Sequence, residues 1–352
     1  MKNFIKAQAY RAYKHLEIKE HSLKYLFLEI TRRCNLSCRH CGSDCSSDPS
    51  MSELPLEKWI EIIDYIADNF SPFIVITGGE PFVSPNFYEI VGHLKKRGLP
   101  WGVVTNGMTL NKESLKQSLQ SGMRSMTISL DGTPDAHKYL RKRDDGWSRA
   151  LESVILVANS PIKVMDVVTC VFPENLKELD FTAKTLIDAG VKNWRLFRIF
   201  PKGAAADNPN LALSFDESRE LVEWISSNRE HYNKRGLNIS FSCEGYLPFA
   251  KDIKIRDEPF FCRAGVNIAS ILADGSITGC NNNGEDFYQG SIITDDFKTV
   301  WSERFKEYRH REWLKTGICK GCKEWNQCQG GSIHLREKDS ENPLFCYVKR
   351  VT

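Results

Sequence analysis

Residues 31–45 read "TRRCNLSCRHCGSDC", four cysteines in twelve positions: Cys34-x3-Cys38-x2-Cys41-x3-Cys45. The apolar, β-rich run Tyr25–Ile30 stands directly before them. The thiols therefore belong on a loop at the C-terminal end of a strand. Three chemistries use such a set. It can be a disulfide framework, a tetrahedral zinc site, or a four-iron cluster held by only three thiolates with one iron open. The first 20 residues show no apolar signal-peptide core and no small-residue cleavage site, so the expected compartment is the reducing cytoplasm. Clustered cysteines there bind metal more often than they pair. Spacing alone leaves zinc and the cluster both open.

Outward from that loop, short apolar runs alternate with amphipathic stretches. The strands are expected at Tyr25–Ile30, Phe73–Thr77, Trp101–Thr105, Met126–Leu130, Ile162–Val171 and Asn193–Ile199. Between the first two, Trp59, Ile62, Ile63 and Ile66 recur at helical spacing. Helices are expected to stop at Gly98, Gly122 and Gly190. Six strand–helix alternations require parallel pairing with crossover helices. The fold class is α/β, a parallel sheet either open or curled into a full or partial barrel, followed by a small cysteine-rich α+β domain. Ligands of such sheets gather at the C-terminal strand ends. The unusual residues lie there: the cysteine loop after the first strand, "GGEP" after the second, "NG" after the third and "DG" after the fourth.

Four segments follow. Residues 1–21 form an N-terminal helix on Phe4, Ile5, Tyr10, Tyr13 and Leu16. Residues 22–202 form the parallel sheet with its helices, 203–239 a linker and helix near Asp216–Arg235, and 240–352 the cysteine-rich domain. In that last part "VNIASILADGSITGC" reads as a hairpin turning at Asp274-Gly275. The 352 residues, 41% hydrophobic, are ample for a buried core. A net charge of +3 gives no bulk electrostatic case for nucleic acid, and no apolar run is long enough to span a membrane.

The Cys34-x3-Cys38-x2-Cys41 spacing resembles the signature of the radical S-adenosylmethionine (SAM) superfamily. "TGGEP", with Gly78, Gly79 and Glu80, is similar to that family's segment for the SAM amine. "SLDGTPDAHKYLRK" is similar to the stretch where Ser129 and Arg141 would contact SAM. His40 stands where many members place an aromatic ring against the adenine. The resemblance implies that the sheet is a partial (β/α)6 TIM-like barrel, with a [4Fe-4S] cluster on Cys34, Cys38 and Cys41 and SAM on the open iron. It implies reductive SAM cleavage to a 5'-deoxyadenosyl radical that takes a hydrogen atom from substrate. A reductant such as a flavodoxin or ferredoxin would supply the electron. Cys45 is not needed and reads as a free thiol; Cys170, in an apolar strand, reads as core.

Further cysteines end the chain. Cys319-x2-Cys322-x5-Cys328-x17-Cys346 suits zinc or a cluster on spacing alone. With "CRAGVNIASILADGSITGC" before it, the region resembles the SPASM extension of peptide-modifying radical SAM enzymes. The resemblance implies an auxiliary [4Fe-4S] cluster on those four. A second auxiliary site would rest on Cys262 and Cys280, with Cys243 as the available third ligand. Two further positions that often hold cysteine in the family are Arg256 and Ser332 here.

The substrate expected from the SPASM resemblance is a peptide or protein side chain. Tetrapyrrole side-chain processing is the alternative; it requires a wide basic pocket to which Arg195 and Arg198 would contribute. Sulfatase maturation ranks lower, because Asn281 stands where those maturases place a carboxylate. A non-catalytic metal-stabilised binding module is the remaining alternative.

Overall fold

The computed structural model describes residues 2–45 and 53–350; Met1, residues 46–52 and residues 351–352 lie outside it. The first half runs α1 (Lys2–Glu20), β1 (Tyr25–Glu29), α2 (Leu56–Asn69), β2 (Phe73–Thr77), α3 (Phe87–Lys96), β3 (Trp101–Thr105), α4 (Lys112–Gln120) and β4 (Met123–Ser129). It continues through α5 (Pro134–Arg141), α6 (Gly146–Ala158), β5 (Val164–Val171), α7 (Pro173–Leu176), α8 (Leu179–Asp188) and β6 (Asn193–Arg198). Then come α9 (Phe215–Lys234), β7 (Asn238–Phe241), α10 (Phe249–Ile255), β8 (Ile268–Ile271), β9 (Ser276–Thr278) and β10 (Gly290–Ser291).

Strands β1 to β7 pair in chain order, every neighbour parallel. This is the parallel α/β sheet expected of the alternation, in the partial-barrel form that the resemblance implies. Alternate residues on each strand, such as Leu26, Leu28, Ile74, Ile76, Trp194 and Leu196, are buried against the helices. Their neighbours Phe27, Val75, Thr127, Asp166, Val168, Cys170, Arg195 and Phe197 therefore face the lumen. Helix α2 buries Trp59, Ile62, Ile63 and Ile66, the face given by its periodicity.

Two features exceed the six-strand reading. β7 is a seventh parallel strand, in register with β6 through Arg195↔Ser240. The hairpin β8–β9 turns at Gly275, whose N–H donates to Leu272 O. It also pairs in parallel with β1 through Tyr25↔Ile268 to Leu28↔Ile271. The cysteine-rich part thus continues the barrel's own sheet, in the order β10-β9-β8-β1. Periodicity cannot show this, because strand pairing is non-local. β4 begins at Met123, three residues earlier than its apolar run, and its pairing with β3 shifts register between Trp101 and Gly102.

The N-terminal helix differs from its apolar reading. Ile5 and Leu16 are 61% and 58% exposed, while Lys14 and Glu17 are buried; the Phe4 side chain lies outside the description. The helix docks through polar tips. Tyr10 donates to Pro259 O, Lys14 to Gln327 O, and Lys24 pairs with Glu17 at 2.7 Å. Its receiving surface is backbone carbonyl and cation rather than apolar side chain, so polarity decides which face turns inward. Among the described residues no helix is long and apolar enough to cross a membrane.

Candidate functional site

The cysteine loop is held from three sides. The turn after β2 grips it by backbone: Gly79 N–H donates to Thr31 O at 2.9 Å and Glu80 N–H to Arg33 O at 2.9 Å. A Cβ on Gly79 would stand 2.3 Å from Arg33 O, and one on Gly78 2.3 Å from Thr31 O. The glycines therefore serve the approach of two loops to each other. The last turn of α5 holds the second side: Arg39 N–H donates to Leu140 O, and the Arg39 guanidinium covers the Tyr139 ring at 4.8 Å. The stretch after β6 closes the third side: Ala204 N–H donates to Cys41 O, and Asn208 to Arg39 O.

Within this frame Cys34, Cys38 and Cys41 lie within electrostatic range of one another and of Arg141 or Glu80. Burial pushes the Cys38 thiol up to about 12 in the metal-free chain, so thiolates form there only with a compensating positive centre. Asn106 Nδ2 lies 3.9 Å from Cys34 Sγ and donates to Asn35 at 2.8 Å. The sequence reading names this "NG" only as a polar strand end. Cys45 is buried beside Cys41, and its N–H donates to Cys41 Sγ at 3.3 Å.

Glu80 is fully buried and already engaged. One oxygen accepts from Thr105 Oγ1 (2.8 Å) and Phe82 N–H (3.3 Å), the other from Asn106 N–H (2.7 Å). Two oxygens offer about four acceptor positions, so one remains. Burial pushes its carboxyl up to about 7 despite those donors. Arg141 donates Nε–H to Asp131 Oδ2 at 2.6 Å. Asp131 also accepts from Cys170 N–H, while its own amide donates to His137 Nδ1. The sequence reading misses Asp131 as the partner of Arg141, although it is the "D" of the quoted "SLDG". His40 packs beside this pair; burial holds it down to about 4, a neutral ring whose Nδ1 has no partner. Ser129 closes β4 opposite Val168, its hydroxyl without a partner among the described residues.

A second thiol set comprises Cys319, Cys322, Cys328 and Cys346, again mutually within electrostatic range. Arg336, 1% exposed, donates Nη2–H to Cys319 Sγ at 3.1 Å, and its Nη1 is buried with no partner. A third set, Cys243, Cys262 and Cys280, converges from distant parts of the chain. Cys243 opens onto a cleft of about 230 Å³ lined also by Tyr10, Ser240, Arg256 and Arg263. Ser332 donates to Cys243 O; Arg256 instead turns to Ser242 O and Gly245 O.

Among the described residues no three His, Cys, Asp or Glu side chains close tightly enough for a single metal ion. The donor sets are all thiol, with N–H donors turned on sulfur from Cys45 and Arg336, which is the chemistry of iron–sulfur ligation.

The two arginines after β5 part company. Arg195 faces the lumen and is tied to Asp166, with a second donor on Thr127 Oγ1. Arg198 faces the other way, its guanidinium over the Phe345 ring at 3.6 Å, with Glu244 as its ion-pair partner. Asn281 Oδ1 accepts from Ser270 Oγ at 2.6 Å.

A parallel partial barrel with a thiol loop at the C-terminal end of its first strand, continued by a cysteine-rich hairpin, defines a class of iron–sulfur enzyme. Residues 28–186 match the radical SAM superfamily, and residues 262–323 match SPASM, an iron–sulfur cluster-binding domain. The chain belongs to the radical SAM superfamily and carries a SPASM domain; it is an enzyme using SAM, a core [4Fe-4S] cluster and auxiliary clusters. It is similar to the AdoMet-dependent heme synthase of Nitratidesulfovibrio vulgaris, 25% identical over 95% of both chains. It is also similar to mycofactocin maturase MftC of Mycolicibacterium smegmatis, 28% identical over 87% of this chain and 76% of that one. In fold it is similar to Streptococcus suis SuiB bound to precursor peptide SuiA, with TM-score 0.70, 17% identity, and 94% and 78% coverage.

Proposed function

We propose that this radical SAM enzyme modifies a peptide or protein side chain in the cytoplasm, with a flavodoxin or ferredoxin as reductant. Cys34, Cys38 and Cys41 hold the core cluster. His40, Gly78, Gly79, Glu80, Ser129 and Arg141 form the SAM site. Cys319, Cys322, Cys328 and Cys346 hold one auxiliary cluster, and Cys243, Cys262 and Cys280 the other. When bound, these groups supply one-electron chemistry and a hydrogen-abstracting fragment. The chain's own part is placement. Asp131 aims Arg141 for a carboxylate, Glu80 keeps one acceptor position for an ammonium, and the backbone contacts of the neighbouring turns fix the cysteine loop.

The observation that carries the peptide reading is charge. A tetrapyrrole with several carboxylates needs cations in the lumen. Arg195, the inward-facing arginine of β6, is already neutralised by Asp166, and Arg198 is turned away onto Glu244. The remaining lumen of Phe27, Val75, Val104, Val168 and Phe197 with Thr127 and Ser240 suits a neutral side chain and a hydrogen-bonding backbone. Tetrapyrrole side-chain processing remains the second reading, favoured by the full-length match to a heme synthase. Sulfatase maturation is disfavoured, because Asn281 is engaged by Ser270 and carries no base.

The test is anaerobic reconstitution with iron and sulfide, then SAM and dithionite, reading 5'-deoxyadenosine. Cys38→Ala should abolish it and Cys45→Ala should not. Co-expression with short reading frames beside the gene, read by mass spectrometry, should show a mass change in one peptide. Turnover of a tetracarboxylate porphyrin, with every peptide unmodified, would overturn the reading.

A further inference from the structure

Buried cations crowd the four-thiol site formed by Cys319, Cys322, Cys328 and Cys346. Arg336 reaches it from the 3-10 turn after Ser332, with Nη2 on Cys319 Sγ and Nε on Gly330 O at 3.0 Å. It makes no ion pair with a carboxylate among the described residues, and Nη1 is sealed from solvent without an acceptor. Lys14, 4% exposed, comes from α1 and donates to Gln327 O beside Cys328. The nearby carboxylate of Glu324 is occupied by the hydroxyl of Tyr246. The loop of Cys34, Cys38 and Cys41 differs: its buried Arg141 is matched by Asp131, and buried Glu80 stands near.

An isolated buried guanidinium is strongly destabilising unless an anion meets it. The anion available to Arg336 is the thiolate set and whatever it holds. A four-iron cluster on four thiolates is negatively charged and gains one more negative charge on reduction. A fixed cation and an N–H···S contact in a low-dielectric setting stabilise that more negative state.

We propose that Arg336 is a positioning and tuning residue that raises the reduction potential of the cluster on Cys319, Cys322, Cys328 and Cys346. The proposal rests on the ligand assignment above.

The test uses the full chain with Cys34, Cys38 and Cys41 all changed to Ala, reconstituted anaerobically and titrated with redox mediators under electron paramagnetic resonance. The relevant signal is the one lost on further Cys328→Ala. Arg336→Met keeps volume without charge, and Arg336→Lys keeps charge. At the poise where the parent is half reduced, Arg336→Met should be about one-tenth reduced with full cluster iron, while Arg336→Lys stays near half. An unshifted Arg336→Met with full iron would overturn the proposal. So would loss of cluster iron in Arg336→Met, which would make the arginine a structural support. Absence of any Cys328-dependent signal in the parent would instead sink the ligand assignment.

Discussion

Asp131 receives the Nε–H of Arg141 at 2.6 Å where the two side chains are 0% and 8% exposed. Each needs the other, since a buried charge stripped of its partner is strongly destabilising. Asp131→Asn keeps the shape and removes the charge. It should cost on the order of 3 kcal/mol of stability and weaken SAM binding at least tenfold, with core iron retained. Equilibrium binding with iron analysis checks this, and unchanged SAM affinity would detach Asp131 from the site.

Gly203 sits in the left-handed region at φ +54°, and a Cβ there would lie 2.3 Å from Cys41 O. It allows the chain after β6 to close on the cysteine loop. Gly203→Ala should therefore lower core iron loading several-fold without touching any ligand, while iron at the C-terminal cysteines stays. Uniform iron loss, or none, would show that this closure does not support the loop.

That contact marks where sequence reading stops. The first three strands are legible to within a residue, because apolar runs bounded by turn residues report local structure. So is the inner face of α2, because helical spacing does the same. The thiols of the core loop are legible as a set because they are close in sequence. The linker's closure on Cys41, the pairing of β8 with β1, and the bonds from Asp131 to Arg141 and from Asn106 toward Cys34 are tertiary. They join residues ten to some two hundred and forty positions apart, and no spacing encodes them. Polar docking of α1 defeats an apolar-moment reading for the same reason: its partners are carbonyls supplied by distant segments.

Glu29 ends β1 almost sealed from solvent, and burial pushes its carboxyl up to about 7 against the pull of Arg32 and the Ala273 N–H. Its unfolded value is 4.5. Between those values the native chain binds more protons than the unfolded one, so stability falls as pH rises. The contribution is full below about 4.5 and lost through about 7, on the order of 3 kcal/mol in all. Denaturation of the metal-free parent and of Glu29→Gln across this window should show the parent losing stability relative to the variant as pH rises, because Glu80 and the buried histidines titrate alike in both. Parallel curves for the two proteins would mean that Glu29 stays ionised.

Asp166 decides how the lumen treats anions. It ties Arg195, which also reaches Thr127, and the arginine side chain remains 40% exposed to the interior. Removing the carboxylate charge leaves the guanidinium in place on its hydroxyl partner but electrically uncompensated. Asp166→Asn should therefore bind a tetracarboxylate porphyrin about tenfold more tightly than the parent, a modest gain because solvent screens a half-exposed charge. The parent should bind it weakly, and the difference should shrink as salt rises. Tight porphyrin binding by the parent, unaltered in Asp166→Asn, would mean that the Asp166–Arg195 pair does not gate the lumen, and the charge argument for a peptide substrate would fall with it.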